Sequence, residues 1–171
     1  MRRKSLILVL IFIFFIGLSI NLLLTTKKTT NISWIASERL ADINGRMLEI
    51  NNVSGKRYTI LNFWATWCAP CIEEMPSLSR LQSNTAFKNL QIVPINVGRD
   101  NVEKSKNFYK KLKIDNLEIY FDKDVELAKK FLLRGLPTTV FINKKGEEFA
   151  RVIGFINFDD KKIIKWLKTY D

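Results

Sequence analysis

The chain contains two cysteines, Cys68 and Cys71, separated by two residues. The apolar run Asn62-Phe63-Trp64-Ala65-Thr66-Trp67 leads straight into them, and Pro70 lies between them. At the point where a buried strand hands over to a helix, unsatisfied backbone N–H groups and the helix dipole favour an anion. A Cys68 thiol there loses its proton more readily than the free value of about 8.5. Cys68 is therefore the attacking nucleophile in thiol-disulfide exchange. Cys71, one turn deeper, is placed to attack the mixed disulfide on Cys68, release the product and leave Cys68-Cys71 oxidised. In reverse the same pair donates a disulfide.

Other roles for the pair fare worse. A structural zinc site needs about four ligands, and with two cysteines and no histidine it would require carboxylates or a second chain. A purely structural disulfide closing so small a loop restricts the unfolded chain little. Two inert core thiols are disfavoured by Pro70 at a helix start and by the exposed end of the strand.

The elements that must position the pair follow from patterning. Residues 58–64 form a continuous β-branched and aromatic run, as in a strand buried on both faces. Residues 71 to about 84 read as a helix with Met75, Leu78 and Leu81 on one side and Pro76 inside it. Ahead of these, Asn44-Gly45 signals a two-residue hairpin turn within residues 40–50. Behind them, residues 90–96 are a second strand, and Asp100 with Glu103 makes a capping-box start for a helix bearing Val102, Tyr109 and Leu112. Strand, helix and strand in that order imply a parallel pair. Residues 117–121 form a short strand, Asp124 caps a helix to about residue 132, and Gly135 ends it. Residues 138–143 and 149–153 make a hairpin, and Asn157 or Asp159 caps a last helix bearing Ile163, Trp166, Leu167 and Tyr170.

A hydrophobic fraction of 47% and a charged fraction of 26% fit one folded domain, expected over residues 37–171. The net charge of +11 invites a nucleic-acid reading, but the lysine pairs are scattered over a linker, helices and a turn, which gives solvated faces. The absence of histidine removes imidazole bases and His-ligated metals. Residues 6–24 carry no charge and follow Arg2-Arg3-Lys4. As a helix they span about 28 Å, roughly a bilayer core. Residues 1–24 are expected to be a signal-anchor helix; a cleaved signal peptide is the rival, and both put the remainder outside the cytoplasm. Residues 25–36 read as a solvated tether.

With Trp67-Cys68-Ala69-Pro70-Cys71 preceded by Asn62-Phe63-Trp64-Ala65-Thr66 and followed by Gly135-Leu136-Pro137-Thr138, the chain resembles the thioredoxin superfamily. It looks most like the membrane-anchored TlpA/ResA-type thiol-disulfide oxidoreductases of bacteria, over roughly residues 37–170. The resemblance implies an α/β thioredoxin-like fold: a central mixed sheet flanked by helices, with an N-terminal hairpin and a central helix-strand insertion. It implies that Pro137 is a cis-proline beside the disulfide, and that Leu136 pairs through its backbone with an extended substrate. Trp67 and Gly154 complete the substrate-contacting set. No cofactor beyond the redox-active disulfide and no metal are expected.

One departure stands out. Thioredoxin has a buried aspartate where this sequence has Asn62, and an amide cannot accept the proton that Cys71 must lose. Glu73 and Glu74 are the candidates. Glu74 lies three residues beyond Cys71 on its helix face and matches the glutamate that tunes the pair in the resembling branch, whereas Glu73 points away. A solvated helix-face carboxylate remains the competing account of Glu74.

Ala69-Pro70 brings no charge or imidazole to stabilise a thiolate, so the potential is expected nearer thioredoxin's about −270 mV than a strong oxidant's about −120 mV. The resemblance implies apocytochrome c or oxidase copper-site cysteines as clients, and a membrane protein as electron donor. Two rivals are a thiol peroxidase, whose Pro-x-x-x-Thr-x-x-Cys signature is lacking because Leu61 and Ala65 occupy those positions, and a non-catalytic peptide-binding module.

Overall fold

Strand β3 (Tyr58–Trp64) shows how one apolar run can serve two faces of a sheet. Successive side chains alternate. Ile60 and Trp64 enter one core with Met75, Leu78 and Phe108, while Leu61 and Phe63 enter the other with Val140, Leu127 and Phe131. In the computed structural model, which describes residues 34–55 and 57–171, β3 lies within a seven-stranded sheet of order β2-β1-β5-β4-β3-β6-β7.

The strands are β1 (Arg39–Ala41), β2 (Met47–Glu49), β4 (Leu90–Asn96), β5 (Tyr120–Phe121), β6 (Thr138–Ile142) and β7 (Glu148–Ile153). The helices are α1 (Trp34–Ser37), α2 (Ile50–Ser54), α3 (Ala69–Gln82), α4 (Val102–Lys111), α5 (Glu126–Lys130) and α6 (Lys161–Lys168). Strand β3 runs parallel to β4 and antiparallel to β6, so the mixed sheet and the parallel pair are as expected. Helices α3, α4 and α6 supply one core, and α1, α2 and α5 adjoin the other.

Several local expectations are corrected. The N-terminal turn spans residues 42–46, because the Asp42 carboxylate accepts from the Asn44 and Arg46 N–H groups and from Arg46 Nε. Strand β5 keeps only two of the five expected residues: Leu117 and Ile119 turn into the core, and the facing β1 offers a single partner, Ala41. Asn101 caps α4, accepting from Lys104 N–H at 2.8 Å, which leaves Asp100 for another task. Helix α5 is capped from further upstream, where Asp122 accepts from Leu127 and Ala128 N–H, and it ends at Lys130, before Gly135. Asp160 caps α6, since Asn157 folds back on Asp159 N–H and Asp159 pairs with Arg80.

Ile35 is fully buried, so the folded part reaches back before residue 37. The expected span over residues 1–24 and most of the tether lie outside the described residues; among those described, no helix is long and apolar enough to cross a membrane.

Candidate active site

Helix α3 starts one residue after Cys68, two residues before the expected start at residue 71, with Pro70 in its first turn, where a missing N–H costs nothing. Cys68 is the N-cap residue, and its Sγ accepts from the Cys71 N–H at 3.3 Å. The two sulfurs are bonded to each other. Cys71 is wholly buried and Cys68 retains 5% exposure, so a client sulfur can reach only Cys68. Trp67, 65% exposed, stands beside it.

The antiparallel pairing of β3 with β6 sets Phe63 opposite Thr138, which brings the start of β6 to the sheet end where the cysteines lie. Immediately before Thr138, the Leu136-Pro137 bond is cis. The Pro137 carbonyl accepts from Gly154 N–H at 2.8 Å, so two of the expected substrate-contacting positions are joined. Gly154 has φ +104°, a conformation side chains rarely adopt, and the space a Cβ would occupy there is open. Leu136 is half-buried, and Ile153 and Phe155 are exposed around Gly154.

Glu74, one turn beyond Cys71, is completely buried, whereas Glu73 is exposed. The solvated-carboxylate account of Glu74 is therefore wrong: its face of α3 packs on the sheet. Its Oε1 accepts from Asn62 Nδ2 at 2.6 Å, and its Oε2 accepts from the Ile156 N–H at 2.6 Å. Burial pushes the carboxyl up to about 7, against the opposing pull of the Ile156 and Asn62 bonds. Asn62 also donates to Thr139 Oγ1, its neighbour across the β3-β6 ladder. The position that departs from thioredoxin thus donates to the buried carboxylate one turn beyond Cys71. The signal was available: Asn62 alternates with Ile60 and Trp64, on the face covered by α3. The Ile156 amide has no comparable signal, because a backbone donor is the same in every residue.

A second carboxylate borders the site. Asp100 Oδ2 accepts from the Thr66 N–H and from Asn96 Nδ2, and its Oδ1 accepts from Lys104 Nζ. Burial pushes this carboxyl up, but the bonds from Lys104, Thr66 and Asn96 outweigh it and hold it below the ordinary 3.8. Among the described residues, no group of three or more Cys, Asp or Glu side chains is placed to hold a metal ion.

Comparison with known proteins agrees with this geometry. Residues 35–147 match the AhpC/TSA family model. The chain is 33% identical over 115 residues to the "Thiol-disulfide oxidoreductase ResA" of Bacillus subtilis (strain 168), covering 67% of this chain and 63% of that protein, somewhat under two thirds of its length. It is 32% identical over 125 residues to the protein of the same name from Geobacillus thermodenitrificans (strain NG80-2), covering 72% of this chain and 69% of that one. The crystal structure of StoA from Bacillus subtilis superposes with a TM-score of 0.62 at 27% identity, over 78% of this chain and 94% of StoA. With a Cys-x-x-Cys pair at a strand-to-helix junction and a cis-proline at the same sheet end, the chain belongs to the AhpC/TSA family of thioredoxin-fold proteins.

Proposed function

We propose that the protein is a thiol-disulfide oxidoreductase that reduces disulfides in client proteins outside the cytoplasm. The observation carrying this reading is the pairing of Cys68, which keeps 5% exposure at a helix N-terminus, with a wholly buried Cys71, one turn from a buried carboxylate. The Cys68 thiolate attacks one sulfur of the client disulfide, and that S–S bond breaks. A mixed disulfide forms and a client thiolate leaves. Cys71 then gives its proton to Glu74 and attacks Cys68 Sγ; the second client thiolate leaves, and two electrons have passed to the client. Glu74 suits this step because a carboxyl near 7 can both take and return a proton at neutral pH.

Trp67, Leu136, Pro137 and Gly154 are assigned to the client. An extended client segment lies along Leu136, where Gly154 leaves open space. The clients of this reading are apocytochrome c or oxidase copper-site cysteines, a membrane protein re-reduces the pair, and residues 1–24 anchor the chain. The disulfide itself is the redox group and no other cofactor is assigned. A thiol peroxidase is disfavoured because Leu61 and Ala65 are buried apolar residues at the two signature positions.

The test is capture in cells. Cys71→Ser should accumulate mixed disulfides on Cys68 that reductant dissolves and that identify client and donor. Cys68→Ser should abolish both capture and cellular role; a Cys68→Ser chain that keeps its role would establish the non-catalytic binding module instead.

A further inference from the structure

Residues 65–68 carry the nucleophile from the end of β3 to the start of α3. Cys68 N–H donates to the Ala65 carbonyl at 3.2 Å within this loop, Thr66 N–H donates to Asp100 Oδ2 at 3.0 Å, and Trp67 Nε1 reaches the Gly98 carbonyl at 3.5 Å. The last two come from outside the loop, from a turn after β4 that is moulded onto it. In that turn Asn96 Oδ1 accepts from Gly98 N–H at 2.8 Å, and Arg99 takes φ +57°. A Cβ on Gly98 would lie 2.6 Å from Ala65 Cβ and 3.1 Å from Trp67 Nε1. The Asp100 side chain is 2% exposed, and Lys104, 55% exposed, holds its other oxygen at 2.6 Å.

We propose that Asp100 is a positioning residue, fixing the Thr66-Trp67-Cys68 loop for exchange, and that Lys104 is the counter-ion that keeps its charge from opposing the Cys68 thiolate. This rests on the oxidoreductase reading. A carboxylate is the stronger acceptor for a lone backbone N–H because the bond is charge-assisted. Left unneutralised two residues from a reacting thiolate, the same carboxylate would disfavour the anion. Lys104 resolves the conflict from the solvent side, and the two residues must therefore act on the disulfide with opposite signs.

The experiment uses the full chain, with glutathione as redox probe and the aromatic disulfide 5,5′-dithiobis(2-nitrobenzoate) as kinetic probe. Lys104→Met should make the pair harder to reduce, shifting the equilibrium constant with glutathione about threefold, and Asp100→Asn should shift it by about as much the other way. The double variant restores the charge balance but not the anchor. Its equilibrium should return near wild type while its attack on the aromatic disulfide stays about tenfold slow. Shifts of the same sign in the two single variants, or a double variant reacting at the wild-type rate, would overturn the proposal. Lys104→Met alters a half-exposed side chain, so it keeps the equilibrium test available even where Asp100→Asn unfolds the chain. Wild-type protein that fails to reduce insulin disulfides would sink the oxidoreductase reading; active wild type with unchanged variants would sink only the role of Asp100 and Lys104.

Discussion

Two carboxylates with buried side chains lie near the cysteines, and their carboxyls depart from the ordinary range in opposite directions. Glu74, on the floor, receives only neutral donors, Asn62 Nδ2 and the Ile156 amide, and its carboxyl rises to about 7. Asp100, on the flank, receives neutral donors and a lysine ammonium, and its carboxyl falls below the ordinary range. Burial raises both. At Asp100 the Lys104 ammonium, with the Thr66 and Asn96 bonds, outweighs it, whereas at Glu74 the two neutral donors do not, leaving one group able to exchange a proton at neutral pH and the other an anion.

The largest effect separating the two should appear in the pH dependence of stability. Glu74 is raised from its ordinary 4.5, so the folded chain holds a proton that the unfolded chain has already released. Stability therefore falls as pH rises from about 4.5 to about 7 and then levels off, by about 3 kcal/mol in all. Glu74→Gln should remove this slope in urea unfolding of the disulfide form, and the chain has no histidine to add a slope of its own there. The same variant should slow resolution of the mixed disulfide about 100-fold. An unchanged slope and an unchanged rate would place Glu74 outside the mechanism.

On the flank, Gly98→Ala should destabilise the fold by about 1–3 kcal/mol, because the new methyl meets Ala65 Cβ and Asp100 Oδ2, neither of which can move far. Thermal unfolding measures it; a neutral result would mean that the turn is not moulded to the loop. Smaller again is the acid limb. Asp100, with its lowered carboxyl, contributes stability above its ordinary 3.8 that is lost as pH falls through its folded value, so Asp100→Asn should flatten the decline below about pH 4. The smallest effect belongs to an exposed pair. Arg80 donates to both Asp159 oxygens, yet Arg80→Ala should cost only about 0.2–1 kcal/mol and less in high salt, because water screens what burial would strengthen.

Much of the site could be read from residue types and spacing. The strand into Cys68 follows from a continuous β-branched and aromatic run, the helix after it from a 3.6-residue period, and the choice of Glu74 over Glu73 from that helix face together with the family resemblance. Asn62 was recognisable as a departure on the face covered by α3, but its contact with Thr139 was not, because that depends on the register between β3 and β6. Asp100 was misread for a local reason: Asp-x-x-Glu fits a capping box, but Asn101 takes the cap one residue later and turns Asp100 toward Thr66. Strand β5 was overextended because its apolar residues serve the core rather than the ladder.

The bond from Ile156 N–H to Glu74 spans 82 residues of sequence, and its consequence lies in the order of synthesis. Both cysteines leave the ribosome long before Ile156 does. Until the last strand and the segment after it have docked, Glu74 lacks one of its two donors. A nascent or truncated chain therefore carries the complete Cys-x-x-Cys motif before the buried carboxylate beneath it has both its donors. The donor set of Glu74 is complete only once the segment carrying Ile156 has docked, when nearly the whole chain has been made.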